Sequence, residues 1–163
     1  MPYAPLAIAN TFLAEHGAES GGISHMKLQK LVFYAYGWWL ASHDEPLTTE
    51  APQVWKFGPV FNSLYSALAP FGMQPIEEPR RAVPIGAAPI VPDDEGEVRE
   101  LLKWVWQRYG GHSASRLSDM THAQGTPWQE EAAAHDYRVP RHHSIPEERT
   151  KAYFKSLAEK LNN

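Results

Sequence analysis

Between Leu31 and Leu40 the chain reads LVFYAYGWWL, ten residues with no charged side chain and five aromatic rings. Few folds can accommodate such a run. Leu28, Leu31, Val32, Ala35 and Trp39 recur at helical spacing, while Phe33, Tyr34, Tyr36, Trp38 and Leu40 fill the other faces. A helix that is apolar all round must be covered on most sides, so residues 25–42 are expected to form the central helix of a globular domain. Ser24 is a good N-cap, able to accept a free backbone N–H of the first turn. The helix should end at His43-Asp44-Glu45-Pro46, because Pro46 discourages helix at the residue before it. Gly37 in mid-helix costs about 1 kcal/mol against Ala, so another backbone is expected to pack closely there. The run is roughly half a membrane span, which rules it out as a transmembrane helix.

The length of 163 residues suits one domain, residues 1–163, with a sizeable core. With no cysteine, the chain has no disulfide, thiol nucleophile or thiolate metal site, which fits a reducing cytoplasm. The N-terminal residues lack the basic, apolar and small-residue pattern of a secretory signal, and no membrane partner is expected. A net charge of −4 offers no overall electrostatic footprint for nucleic acid.

The rest of the chain reads as helices. A first helix is predicted over Pro5–His16, with Leu6, Ala9, Phe12 and Leu13 as its apolar stripe. Val54–Phe57 is expected as a short strand, and Pro59 as the first residue of a third helix reaching Ala69. Lys56-Phe57-Gly58-Pro59 is then either a strand-to-helix corner or a helix start whose free N–H groups, beside Lys56, hold an acidic group of a partner. Residues 70–92 contain six of the fourteen prolines, too many for a helix, with Arg80-Arg81 in the middle. Ala82–Ile85 and Ala88–Val91 are candidates for an edge hairpin. Asp93-Asp94 is expected to cap a helix ending at Gly110, Ser113 a short helix, and Thr126-Pro127 another reaching His135. Residues 136–143 form a loop. The last helix, residues 146–161, should bury Tyr153, Phe154, Leu157 and Leu161. The expected fold class is mainly α, one helical domain around a buried central helix with a minor β element.

A search for catalytic chemistry finds no HExxH, GxSxG, Walker or GxGxxG motif. His43-Asp44, with His25 and Asp119, can be placed in the H…HD…D order that resembles HD-type metal phosphohydrolases. Eight histidines make such a match easy to find, and unspaced imidazole and carboxylate groups identify little. His122 and Trp128 read as a local pair at adjacent helix ends, the imidazole placed to satisfy helix carbonyls. No catalytic residue, cofactor site or metal site is expected from these patterns.

Four stretches, LQKLVFYAYGWWLA, VWKFGPVFNSLY, LSDMTH followed by PW, and Ile145 with Tyr153-Phe154, together resemble the Panacea domain family of SocA-like antitoxins and phage-associated GepA-like proteins. LQKLVFYAYGWWLA is similar to the family's LQKL-(Y/F)-(Y/F)-A helix, and VWKFGPVFNSLY to its W-x-x-GPV-x-x-x-LY pattern. LSDMTH followed by PW, and Ile145 with Tyr153-Phe154, complete the set. The match runs from about residue 25 to 161, with residues 1–23 as an N-terminal helix and loop of the same domain. Val54 and Phe57 replace the family's usual Ala and Tyr. On this resemblance Leu28, Lys30, Leu31, Trp39, Trp55, Gly58, Pro59, Val60, Tyr65, His122 and Trp128 are structural positions. The resemblance implies a non-enzymatic antitoxin that binds a cognate toxin protein and, in SocA-like members, delivers it to a ClpXP-type protease. Candidate docking residues are Arg80 and Arg81 in the Pro-rich loop, Arg138 and Arg141 in the later loop, and Lys56, arginine being enriched at protein interfaces.

Overall fold

The computed structural model describes residues 2–162. In chain order its elements are α1 (Pro5–Phe12), α2 (His25–His43), β1 (Gln53–Trp55), β2 (Gly58–Val60), α3 (Asn62–Leu68), α4 (Gly96–Tyr109), α5 (Ala114–Thr121), α6 (Pro127–Ala134) and α7 (Glu147–Leu161). One π-helical turn, Leu13–Gly17, extends α1, and a 3-10 turn, Ala69–Phe71, extends α3. The fold is mainly α with one antiparallel hairpin, as the sequence predicts.

The α2 helix is the axis of the molecule. The Ser24 hydroxyl accepts from Lys27 N–H at 3.3 Å, and Asp44 ends the helix in the left-handed region with its N–H on Leu40 O. The helices α1, α3, α4, α5 and α7 and strand β2 all pack on it, so every residue from Leu31 to Leu40 is buried except Trp39. Trp39 stacks on His43 with ring centroids 3.6 Å apart, half in solvent, and is a flank residue rather than core. Its neighbour Trp38 takes the core position, donating from Nε1 to the Tyr109 hydroxyl at 3.0 Å. Gly37 is required by a side chain, not by the expected backbone: a Cβ there would overlap the Phe154 ring of α7.

Four further expectations are corrected. The third helix starts at Asn62, because Gly58–Val60 instead pairs with Gln53–Trp55 in the register Val54↔Pro59. Val54 N–H turns outward to His143 O at 2.9 Å and Pro59 O outward to Lys30. This is therefore the non-hydrogen-bonded kind of antiparallel pair, in which proline's missing donor costs nothing. Residues 82–91 form no hairpin, because side chains claim that segment's backbone. Buried Asn10 donates to Arg80 O and Pro89 O and accepts from Arg80 N–H, while Thr11 accepts from Val91 N–H. The N-cap of α4 is Glu95 rather than the Asp pair, and Asp93 pairs with Arg99 at 3.0 Å. In α7 only Phe154 of the predicted stripe is fully buried; Tyr153 and Leu157 are half-buried and Leu161 is exposed, since nothing covers the helix's last turn.

Candidate partner-binding groove

The two-residue turn of the hairpin, Lys56-Phe57, is the part that points into solvent, and the strands behind it are fastened by helix side chains. Trp128 Nε1 of α6 donates to Trp55 O at 2.8 Å, and Ser118 Oγ of α5 to Phe57 O at 2.6 Å. Lys30 Nζ of α2 donates to Pro59 O at 3.0 Å. The Gln29 amide then grips Phe61 on both sides, accepting from its N–H at 2.8 Å and donating to its carbonyl at 3.3 Å. Each odd-numbered carbonyl from 55 to 61 is thus held by a different side chain. Buried backbone groups need such partners, and here they hold an irregular segment in one conformation. Gly58 sits at φ +115°, and a Cβ would stand 3.0 Å from both Lys30 Nζ and Thr121 Oγ1, so glycine is needed for backbone and space alike.

Beside this hairpin lies a groove of about 620 Å³ between the start of α2, the hairpin and α3. Four large apolar side chains line it while exposed to solvent: Met26 at 40%, Phe57 at 56%, Tyr65 at 42% and Met73 at 95%. Tyr65 stands between Trp55 and His25, at 4.7 and 5.2 Å. Among the described residues no carboxylate lines the groove, although the chain is acidic overall; its basic lining is Lys30, Lys56 and His25. Lys30 is 1% exposed and burial lowers its ammonium to about 7. Burial, and then the charge of Lys30, lowers His25. Contiguous exposed apolar surface of this kind, with polar groups at its edge, marks a place where another molecule sits.

Leu28, Leu31 and Val60 are core residues as expected, and Trp55 is half-buried beneath the hairpin. Tyr65 is a groove wall rather than core. Lys56 is exposed at the groove edge, its Nζ 5.4 Å from the Phe57 ring centre, but in a hairpin turn and not at a helix start. Arg80 packs on Phe71 at 4.8 Å and Arg81 donates to Pro84 O at 3.3 Å, both in the Pro-rich loop and exposed. Arg138 and Arg141 are exposed in the loop before α7. His122 packs edge-on against Trp128 at 5.4 Å with Nδ1 buried and without a partner, so it does not satisfy helix carbonyls through that atom. The phosphohydrolase-like set does not assemble. His25 and His43 occupy opposite ends of α2, roughly 27 Å apart at 1.5 Å per residue. Asp44 is bound instead to Lys155 at 2.8 Å, which lowers its carboxyl. The groove was not legible, because Met26 of the central helix, Phe57 of the expected strand and Met73 of the Pro-rich loop lie far apart in the chain and only the fold makes them neighbours.

The architecture is a helical scaffold that holds one exposed hairpin rigidly beside an apolar groove. The family model described as "Antitoxin SocA-like, Panacea domain" matches residues 28–129, and the chain belongs to that family. It is similar to Antitoxin SocA of Caulobacter vibrioides (strain NA1000 / CB15N), 33% identical over 125 residues, which cover 75% of this chain and 66% of the relative. The chain thus spans just under two thirds of that relative's length. No solved structure matches. The matched region contains α2, the hairpin, α5 and the start of α6, so three of the four motif stretches meet at the hairpin: Gln29 and Lys30 from the first, Trp55 to Phe61 from the second, Ser118, Thr121 and Trp128 from the third. The fourth, at Ile145–Phe154, lies beyond it. Among the described residues no helix is long and apolar enough to cross a membrane.

Proposed function

We propose that this protein is an antitoxin that neutralises a cognate toxin in the cytoplasm by direct binding, and that the toxin seats on the hairpin tip and the groove beside it. The observation that carries this reading is the convergence of the motif residues on the hairpin. Their hydrogen bonds fix a turn whose own side chains, Lys56 and Phe57, are exposed. A groove with exposed aromatic and Met side chains, Lys56 at its edge and no carboxylate among the described residues suits an apolar segment bearing an acidic residue. The exposed arginines at 80, 81, 138 and 141, which lie outside the groove lining, supply further charge pairs to the toxin, and such pairs weaken with salt. Delivery of the bound toxin to a ClpXP-type protease is the finer form of the proposal, supported by the resemblance to SocA.

The test is co-expression with the toxin encoded next to this chain, scoring growth rescue and co-purification. Phe57→Ala with Tyr65→Ala should weaken binding by roughly 2 kcal/mol or more, as buried aromatic anchors do, while circular dichroism stays unchanged. Replacing the four arginines by Ala should have a smaller effect that grows at low salt. If the aromatic pair is without effect and the arginine variant abolishes rescue, the toxin docks on the loops instead. A ClpX-deficient host separates masking from delivery: rescue that survives there needs no protease.

A further inference from the structure

On the far side of β1 from the groove's wall strand, three side chains outside the groove converge on one point. Glu131 on α6 is almost fully buried; its Oε2 lies 2.6 Å from His143 Nε2 and 3.3 Å from His135 Nε2. All three donor atoms lie within 4.8 Å of one another. We propose that Glu131, His135 and His143 bind a divalent transition metal that prefers imidazole, with zinc as its representative.

The two carboxylate oxygens have separate duties. Oε1 accepts from Arg149 Nε of α7 at 3.0 Å, which fixes the carboxylate plane and leaves Oε2 facing the two imidazoles. Metal-binding carboxylates are commonly held by such an outer hydrogen bond. Glu130, 4.0 Å from Arg149 Nη1, offsets the charge of the guanidinium. The histidines are held by backbone as well. His135 caps α6, four residues after Glu131 and so on the same helix face. His143 is pinned on both sides, its N–H on Pro140 O at 3.2 Å and its carbonyl receiving Val54 N–H of β1. The rings stand 4.6 Å apart at 67°, with Nε2 of each turned toward Oε2. A neutral imidazole can keep its proton on Nδ1 and offer the Nε2 lone pair.

Two imidazoles and a carboxylate with a further position open is a familiar ligand set for zinc. Imidazole favours zinc, nickel or cobalt over magnesium and calcium, which prefer all-oxygen sites. Both histidines are about one-third exposed, so an ion can enter from solvent. Once bound, it ties the end of α6 to the loop before α7 and fixes the segment bearing Arg138 and Arg141.

The full chain, stripped with chelator, should be titrated with zinc by calorimetry, and with cobalt by visible absorption. The expected result is one saturable zinc site per chain and none for magnesium. His135→Ala and His143→Ala should each weaken zinc binding about tenfold or more and abolish the cobalt spectrum. His112→Ala with His142→Ala should change neither. Because Glu131→Gln also disturbs the Arg149 pair, its fold must be checked by circular dichroism, and the two histidine variants decide the matter without it. Absence of saturable zinc binding overturns the proposal, as does binding that persists unchanged in both His135→Ala and His143→Ala.

Discussion

At the scale of single residues, Lys30 is the most constrained side chain in the molecule. It lies between Gln29 and Leu31 in the first half of α2, is 1% exposed, and its ammonium donates to the Pro59 carbonyl. Burial of a cation disfavours the charged form, which lowers the group to about 7 from 10.5. The sign of the consequence for stability is fixed. Between pH 7 and pH 10.5 the unfolded chain keeps a proton on Lys30 that the folded chain has released, so this group makes stability rise with pH. Below pH 7 the full cost of burying the charge is present. Tyr34 and Tyr36, both raised by burial, act in the opposite sense above pH 10 and are common to any Lys30 variant. Urea unfolding of wild type and Lys30→Met across pH 6–10 should therefore show the variant relatively more stable at the acid end, with the gap closing by up to about 1.4 kcal/mol per pH unit. A gap that stays constant with pH would mean that Lys30 remains charged inside the fold.

At the scale of elements, the hairpin explains both what the sequence showed and what it hid. The α2 helix was legible because ten apolar residues flanked by a Ser cap and a proline turn permit little else. Gln29 and Lys30 were not legible as clamps, because a helical pattern assigns polar residues to solvent, and only the fold brings β2 across that face. Pro59 read as a helix start for a similar reason. Proline suits the first helical turn and a non-hydrogen-bonded strand position equally well, and register decides between them. The groove was hidden because Met26, Phe57 and Met73 lie far apart in the chain, and only the fold brings them to one wall. The clamp itself can be tested. Gln29→Leu removes both bonds to Phe61 and leaves a buried N–H without a partner, which should cost about 1–3 kcal/mol. Hydrogen exchange should show the loss first at Phe61 and Val54, with α4 protected as before. Uniform loss of protection would instead mean that the hairpin opens only with the whole molecule.

At the scale of the whole molecule, the decisive fact is that α2 touches every layer. Its faces meet α1, α3, α4, α5, α7 and β2, and one contiguous apolar cluster runs from Leu6 through α2 to Phe154 near the far end of the chain. Little apolar surface is left for a second core, so we propose that residues 1–163 unfold as one cooperative unit. The six tryptophans make this measurable because they sample separate regions: Trp38 and Trp39 on α2, Trp104 and Trp106 on α4, Trp55 on β1 and Trp128 on α6. The Trp55–Trp128 pair reports on the end of the molecule that contains the hairpin, which helix side chains fasten by hydrogen bonds. Trp38, with its bond to Tyr109, reports on the aromatic core. In a two-state transition all probes must coincide. Denaturant curves followed by fluorescence, and by circular dichroism for helix content, should therefore share one midpoint and one slope. Removing the hairpin-end signal takes Trp55→Phe together with Trp128→Phe, and the remaining fluorescence should superimpose on the dichroism curve of that double variant, whose own midpoint falls because the Trp128–Trp55 O bond is lost. Fluorescence that changes at lower denaturant than the helical signal in wild type but not in the Trp55→Phe, Trp128→Phe double variant would place a separate, weaker unit at the hairpin end, and the chain would then fold in two steps.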